Sequence, residues 1–154
     1  MGRSSFSPRL MGCRLEKSVD QSIATGTTTD VTWAESGSFY DPFNLFTSGT
    51  DITVPTKGIY MISFSIGWDS VLGGSFVQQF TTSFPVGAGN QRFQEIWKSG
   101  HTSNFRTTVN CSGIVEIDPA VIPTFKVSAV HNRGSARNIL SYSTFISFQL
   151  LRKV

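Results

Sequence analysis

The sequence predicts an all-β protein: a two-sheet antiparallel sandwich of about ten strands, preceded by an extended N-terminal arm. Three observations carry this. The 154 residues include 13 Phe, 21 Ser and 16 Thr beside 14 Gly and 6 Pro, a mixture rich in strand formers and turn residues. Apolar residues recur with a period of two over most of the chain, and helical periodicity is nearly absent. Turn residues cut these runs at Ser36-Gly37, Thr47-Ser48-Gly49, Thr56-Lys57-Gly58, Gly73-Gly74, Gly87-Ala88-Gly89-Asn90 and Asn132-Arg133-Gly134. At this length one core is expected, with residues 18–154 forming the domain and residues 1–17 the arm.

The arm is set apart by charge. The formal net charge is +3, and all of it lies in residues 1–17, where Arg3, Arg9, Arg14 and Lys17 face only Glu16. Beyond residue 17 nine basic and nine acidic side chains cancel. A neutral body offers no basic stripe, so the pI near 9.1 is not a nucleic-acid footprint. Phe6, Leu10 and Met11 interleave with the arm cations, as in a peptide that orders against a partner surface. Met1–Gly12 lacks the apolar stretch of a secretory signal, and no run approaches the roughly 20 apolar residues that cross a bilayer, so neither export nor a membrane partner is expected.

Each later segment is justified by its alternation. From Gly58 to Trp68, Tyr60, Ile62, Phe64, Ile66 and Trp68 share one face, and Ile59, Met61, Ser63, Ser65 and Gly67 the other. Small side chains on that second face permit close approach of another backbone or subunit. From Phe105 to Ile117, Phe105, Thr107, Val109, Cys111, Gly113, Val115 and Ile117 lie together and inward, with Arg106, Thr108, Asn110, Ser112 and Glu116 opposite. Phe125, Val127 and Ala129 alternate with Lys126 and Ser128. The last strand, Asn138–Leu151, sets Tyr142, Thr144, Ile146, Phe148 and Leu150 against Ser143, Phe145, Ser147, Gln149 and Leu151 without a charge on either face. Two uncharged strand faces exceed what a monomer conceals, so self-association is expected.

Catalytic chemistry finds little support. His101 is placed in a loop and His131 at a strand end, both as surface residues outside any nucleophile–base motif. Two Cys and two His without close pairs do not make a zinc site, no Asp-rich loop marks calcium, and no cofactor is expected. Cys13 and Cys111 read as free thiols. Asp41 and Asp118, each before a proline, read as turn caps, while Asp69, Glu95 and Glu116 could meet only through folding. The G-x-G of Gly87-Ala88-Gly89 reads as a hairpin turn, the Asn110-Cys111-Ser112 sequon falls in mid-strand, and Trp33, Trp68 and Trp97 read as buried rather than sugar-stacking.

The run Phe39-Tyr40-Asp41, Phe46, Ile52-Thr53-Val54-Pro55 and Gly58-Ile59-Tyr60-Met61-Ile62-Ser63-Phe64 resembles the central signature of the globular head of complement subcomponent q and its tumour-necrosis-factor-like relatives. Ser143-Thr144-Phe145-Ile146-Ser147-Phe148-Gln149-Leu150 is similar to that family's closing strand, and the resemblance spans about residues 18–151. It implies a ten-stranded jelly roll assembled as a homotrimer about a three-fold axis, with Tyr60, Ser63, Ser65, Gly67, Phe145, Ser147 and Gln149 expected at the interface. The chain shows no collagen-like Gly-X-Y stalk, which turns the expectation from a complement-like role to a virion. There, proteins similar to this family serve as trimeric capsid decoration knobs, head fibres or receptor-binding tips.

The first expectation is therefore a non-enzymatic virion structural protein, a bacteriophage capsid decoration or cement protein. Arg3, Phe6, Arg9, Leu10 and Arg14 would grip the shell. The alternative is a fibre or tail-tip module that recognises a host surface glycan or protein through loops such as Val71–Gly74, Gly87–Arg92 or Lys98–Asn104.

Overall fold

A computed structural model describes residues 11–33, 40–46, 49–71, 74–82, 92–99 and 105–154. These build β1 (Gly12–Glu16), β2 (Gln21–Ile23), β3 (Thr29–Asp30), β4 (Ile52–Thr53), β5 (Gly58–Val71), β6 (Gly74–Thr82), β7 (Arg92–Ser99), β8 (Phe105–Ile117), β9 (Thr124–His131), β10 (Arg137–Ile139) and β11 (Phe145–Lys153), with one 3-10 turn at Ser141–Ser143. All strand pairs are antiparallel, and they form two sheets. The first sheet runs β1-β11-β5-β10-β2, with β8 on the other edge of β5; the second runs β3-β9-β6-β7, with β4 also on β9.

The 14-residue β5 organises the first sheet because its alternation is unbroken. Tyr60, Ile62, Phe64, Ile66 and Trp68 all turn inward and are at most 2% exposed. In register with them, Val109, Val115 and Ile117 of β8 and Ile146, Phe148 and Leu150 of β11 are buried too. Phe125, Val127 and Ala129 of β9 close the core from the second sheet. Phe148 joins the layers: its ring stacks on Tyr60 with centroids 4.5 Å apart and lies 4.6 Å from Phe125. Aromatic pairs at such spacings add to the burial energy of each ring.

The arm ends earlier than its charge suggests. β1 pairs with β11 from Gly12↔Gln149 to Glu16↔Phe145, and the carbonyl of Met11 accepts a hydrogen bond from the Leu150 amide at 2.7 Å. Cys13 and Leu15 are core residues, so residues 12–16 belong to the sandwich rather than to an arm reaching residue 17. Lys17 is also buried, at 5% exposure. Its ammonium donates to Gln21 Oε1 at 2.9 Å, Thr32 O at 2.7 Å and Thr32 Oγ1 at 3.0 Å, so the cation ties the end of β1 to the segment that follows β3 of the second sheet.

His131 departs from the expected surface position: it is 2% exposed. The Arg133 amide donates to Nδ1 at 3.2 Å, which makes Nδ1 the unprotonated nitrogen and leaves Nε2 to donate to Ile23 O at 2.9 Å. Trp68 meets the imidazole edge-on at 5.4 Å. Asp41 and Asp118 do cap turns. Asp41 accepts from the Leu45 and Phe46 amides at 2.9 and 2.8 Å, and Asp118 from the Ala120 amide at 3.0 Å.

Candidate functional site

The outer face of the first sheet carries exposed apolar side chains beside small polar ones. Cross-strand registers arrange it in rows: Gly12, Gln149, Met61 and Ile114; then Arg14, Ser147, Ser63 and Ser112; then Glu16, Phe145, Ser65 and Asn110. Between the Arg14–Glu16 edge and the far side of β8 these rows hold no charged side chain. Met61 (38% exposed) and Ile114 (62%) sit directly opposite each other, and Leu151 (42%) follows on β11. Exposed apolar side chains that are cross-strand neighbours mark a contact surface more strongly than scattered ones.

Of the residues expected at an interface, Ser63, Phe145, Ser147 and Gln149 lie on this face, partly exposed. Tyr60 does not: strand alternation turns it into the core, 0% exposed, where its hydroxyl donates to Thr56 O. Gly67 and Ser65 lie on the outer side but are already covered within the chain. The 3-10 turn packs over them, so that Ser65 Oγ donates to Ser143 O at 3.2 Å and the Gly67 amide to Thr144 Oγ1 at 3.1 Å. A Cβ on Gly67 would collide with Ser143 Oγ and Cβ. Close approach at Gly67 was legible in the sequence, but the approaching backbone is the chain's own.

Arg14 moves from arm to face. Its guanidinium lies 4.2 Å above the Phe145 ring while Nε pairs with Glu16 Oε1 at 3.2 Å. Arg3, Phe6, Arg9 and Leu10 lie outside the described residues, as do most of the Val71–Gly74, Gly87–Arg92 and Lys98–Asn104 loops, His101, and the side chains of Glu95 and Trp97. Trp33 and Trp68 are buried, 3% and 0% exposed.

Hollows open on the face. One of about 410 Å³ is lined by Arg14, Glu16, Asn110, Tyr142 and Phe145 among others; one of about 260 Å³ lies between Ser63, Asn110, Ser112 and Phe145. Asp20 holds the turn that walls the first, accepting from the Ser141 amide at 2.8 Å. Those hydrogen bonds from Ser141 backbone and side chain hold the Asp20 carboxyl below its ordinary range. Among the described residues no three of His, Cys, Asp and Glu come together as a metal site would need. Glu116 faces Ile59, ten residues of extended strand from Asp69 and so about 33 Å away, which keeps those two carboxylates from acting together.

Ile114 was missed from the sequence, and its signal was there: one apolar residue among the polar alternate positions Arg106 to Glu116. The cover over Gly67 had no such signal, because it depends on where a three-residue turn folds back.

With this geometry in place, comparison with solved structures is informative. Eiger TNF from S. frugiperda superposes with a TM-score of 0.64 at 10% identity, covering 94% of each chain. Murine APRIL gives 0.62 at 15%, over 93% of this chain and all of that one. The fold is the tumour-necrosis-factor and complement-1q jelly roll. The globular domain of the zebrafish complement 1qA protein agrees, with a TM-score of 0.60 at 10% identity over 93% of this jelly roll and 98% of that domain. No protein-family model and no curated protein matches the sequence. Among the described residues no helix is long and apolar enough to cross a membrane.

Proposed function

We propose that this jelly roll is a non-enzymatic homotrimeric structural module whose copies pack through the outer face of the first sheet, and that residues 1–10 hold it on a virion shell as a decoration protein. The observation that carries the trimer is the uncharged field of Met61, Ser63, Ser112, Ile114, Ser147 and Gln149, in which Met61 and Ile114 form an exposed apolar cross-strand pair. Burying Met61, Ile114 and Leu151 removes apolar surface from water, and the flanking serines desolvate at small cost because hydroxyls rotate to find partners. The placement of the termini supports the anchor. Met11 bonds to Leu150 and the Val154 amide donates to Lys57 O at 3.4 Å, so β1 begins at the same end of the sandwich as the C-terminus. The opposite end, with Asp20 and the Asn132–Arg137 loop, is then left facing outward, which is what favours the second reading, a receptor-binding tip.

Light scattering on the intact chain tests the assembly: a mass near three times 16.9 kDa is expected. A monomer would sink the trimer. Anchoring is tested with an Arg3→Ala, Arg9→Ala double variant, expected to keep the assembled mass and to lose co-sedimentation with purified virus particles. Unchanged co-sedimentation would remove the arm's role.

A further inference from the structure

We infer that the 410 Å³ hollow between β8, β11 and the 3-10 turn is a binding site for a neutral saccharide. Its size falls at the lower end of the roughly 300–1,000 Å³ typical of small-molecule sites. Its chemistry is the argument. The two charged groups in the wall, Arg14 and Glu16, neutralise each other through the 3.2 Å pair, so the hollow offers no net charge to an ionic ligand. Hydroxyl and amide groups dominate the rest of the lining: Thr108, Asn110, Ser141 and Ser143.

Among the described residues the Asn110 amide, the Thr108 hydroxyl and the Tyr142 hydroxyl have no protein partner, unlike the residues whose bonds are otherwise taken up. An amide supplies donors and an acceptor, and a hydroxyl supplies both, which suits a ligand that presents hydroxyl groups in several directions. Two rings complete the wall. Phe145 forms apolar floor beneath the Arg14 guanidinium, and Tyr142, 65% exposed, stands at the rim with Arg106 5.3 Å from its centroid. A pyranose has an equator of hydroxyls for the amide and hydroxyl groups, and apolar C–H faces for the ring surface that Arg14 and Arg106 leave uncovered. The site is held in shape before any ligand arrives, since Asp20 fixes Ser141 while Ser65 and Gly67 fix the far end of the turn.

This site does not rest on self-association, and the experiment separates the two. The intact chain is titrated with glucose, galactose, N-acetylglucosamine and lactose and followed by backbone amide chemical shifts. The expected result is saturable binding of at least one of them, with shifts confined to residues 14–16, 108–110 and 141–145. Asn110→Ala and Tyr142→Ala should each weaken it about fivefold or more without changing the solution mass. Ile114→Asp, outside the hollow, should leave binding intact whatever it does to the mass. No saturable binding of any of the four sugars, or binding indifferent to both hollow variants, overturns the site. So does a fall in mass for Asn110→Ala, which would assign the hollow to contact between copies.

Discussion

Cys13 shows how completely environment rewrites a side chain. On charge alone it belongs to a basic arm; in the fold it is 3% exposed, and burial, aided by the nearby Asp41 carboxylate, pushes its thiol up to about 12. A thiol that stays protonated is a poor nucleophile, so Cys13 should resist alkylation in the native protein. Linkage makes it a stability effect as well. The unfolded thiol ionises near 9 and the folded one near 12, so the contribution of Cys13 is fully present below pH 9 and is lost between pH 9 and 12. Lys17 acts with opposite sign: burial pulls its ammonium down to about 8 against the pull of Asp20, so its contribution rises between pH 8 and 10.5. Comparison with Cys13→Ala cancels the lysine. In urea titrations the stability difference between wild type and that variant should shrink by about 2 kcal/mol from pH 8.5 to 10.5. A difference independent of pH would show that Cys13 reaches water. Neither group's setting was legible from sequence, because Cys13 and Lys17 owe their burial to β11 and to Thr32, partners distant in the chain.

Among the elements, the long strands were legible and the short ones were not. β5, β8, β9 and β11 run 8 to 14 residues, enough for alternation to declare both faces, and the structure buries the face it names. β2, β3, β4 and β10 have two or three residues each and exist because neighbouring strands supply their hydrogen bonds. β1 was hidden for another reason: Arg14 and Glu16 on its outer face dominate the charge count, while the alternate Cys13 and Leu15 carry the strand signal. The 3-10 turn over β5 shows an element fixed by one absent side chain. Gly67→Ala should cost about 1–3 kcal/mol, since the new methyl collides with Ser143 Oγ and Cβ and the turn must lift. Ser143→Gly removes both atoms, and in its background the alanine should be nearly free. A double-mutant cycle of thermal unfolding reads this directly, and additive effects would place the strain elsewhere.

At the scale of the whole molecule, the outer face divides into a part closed by the chain itself and a part left open, and that division decides what a buried charge will do. Ser65 was expected at an interface between copies. In the structure Ser65 is 2% exposed beneath Ser143, so Ser65→Asp places a carboxylate under the turn of a single protomer and should lower its own stability by about 1–3 kcal/mol or more. Ile114, 62% exposed, behaves otherwise. A carboxylate there is solvated in an isolated chain, so the protomer should unfold at a temperature close to wild type. Packing copies through this face would bring like charges together and strip them of water, a penalty of several kcal/mol per contact. Ile114→Asp is therefore expected to give a folded protomer near 16.9 kDa by light scattering, with the same far-ultraviolet circular dichroism as wild type. If Ile114→Asp keeps the wild-type assembled mass, the contact lies off the Met61–Ile114 row. If Ser65→Asp instead yields a stable, dissociated protomer, the turn does not close that end of the face as the Ser143 contact requires.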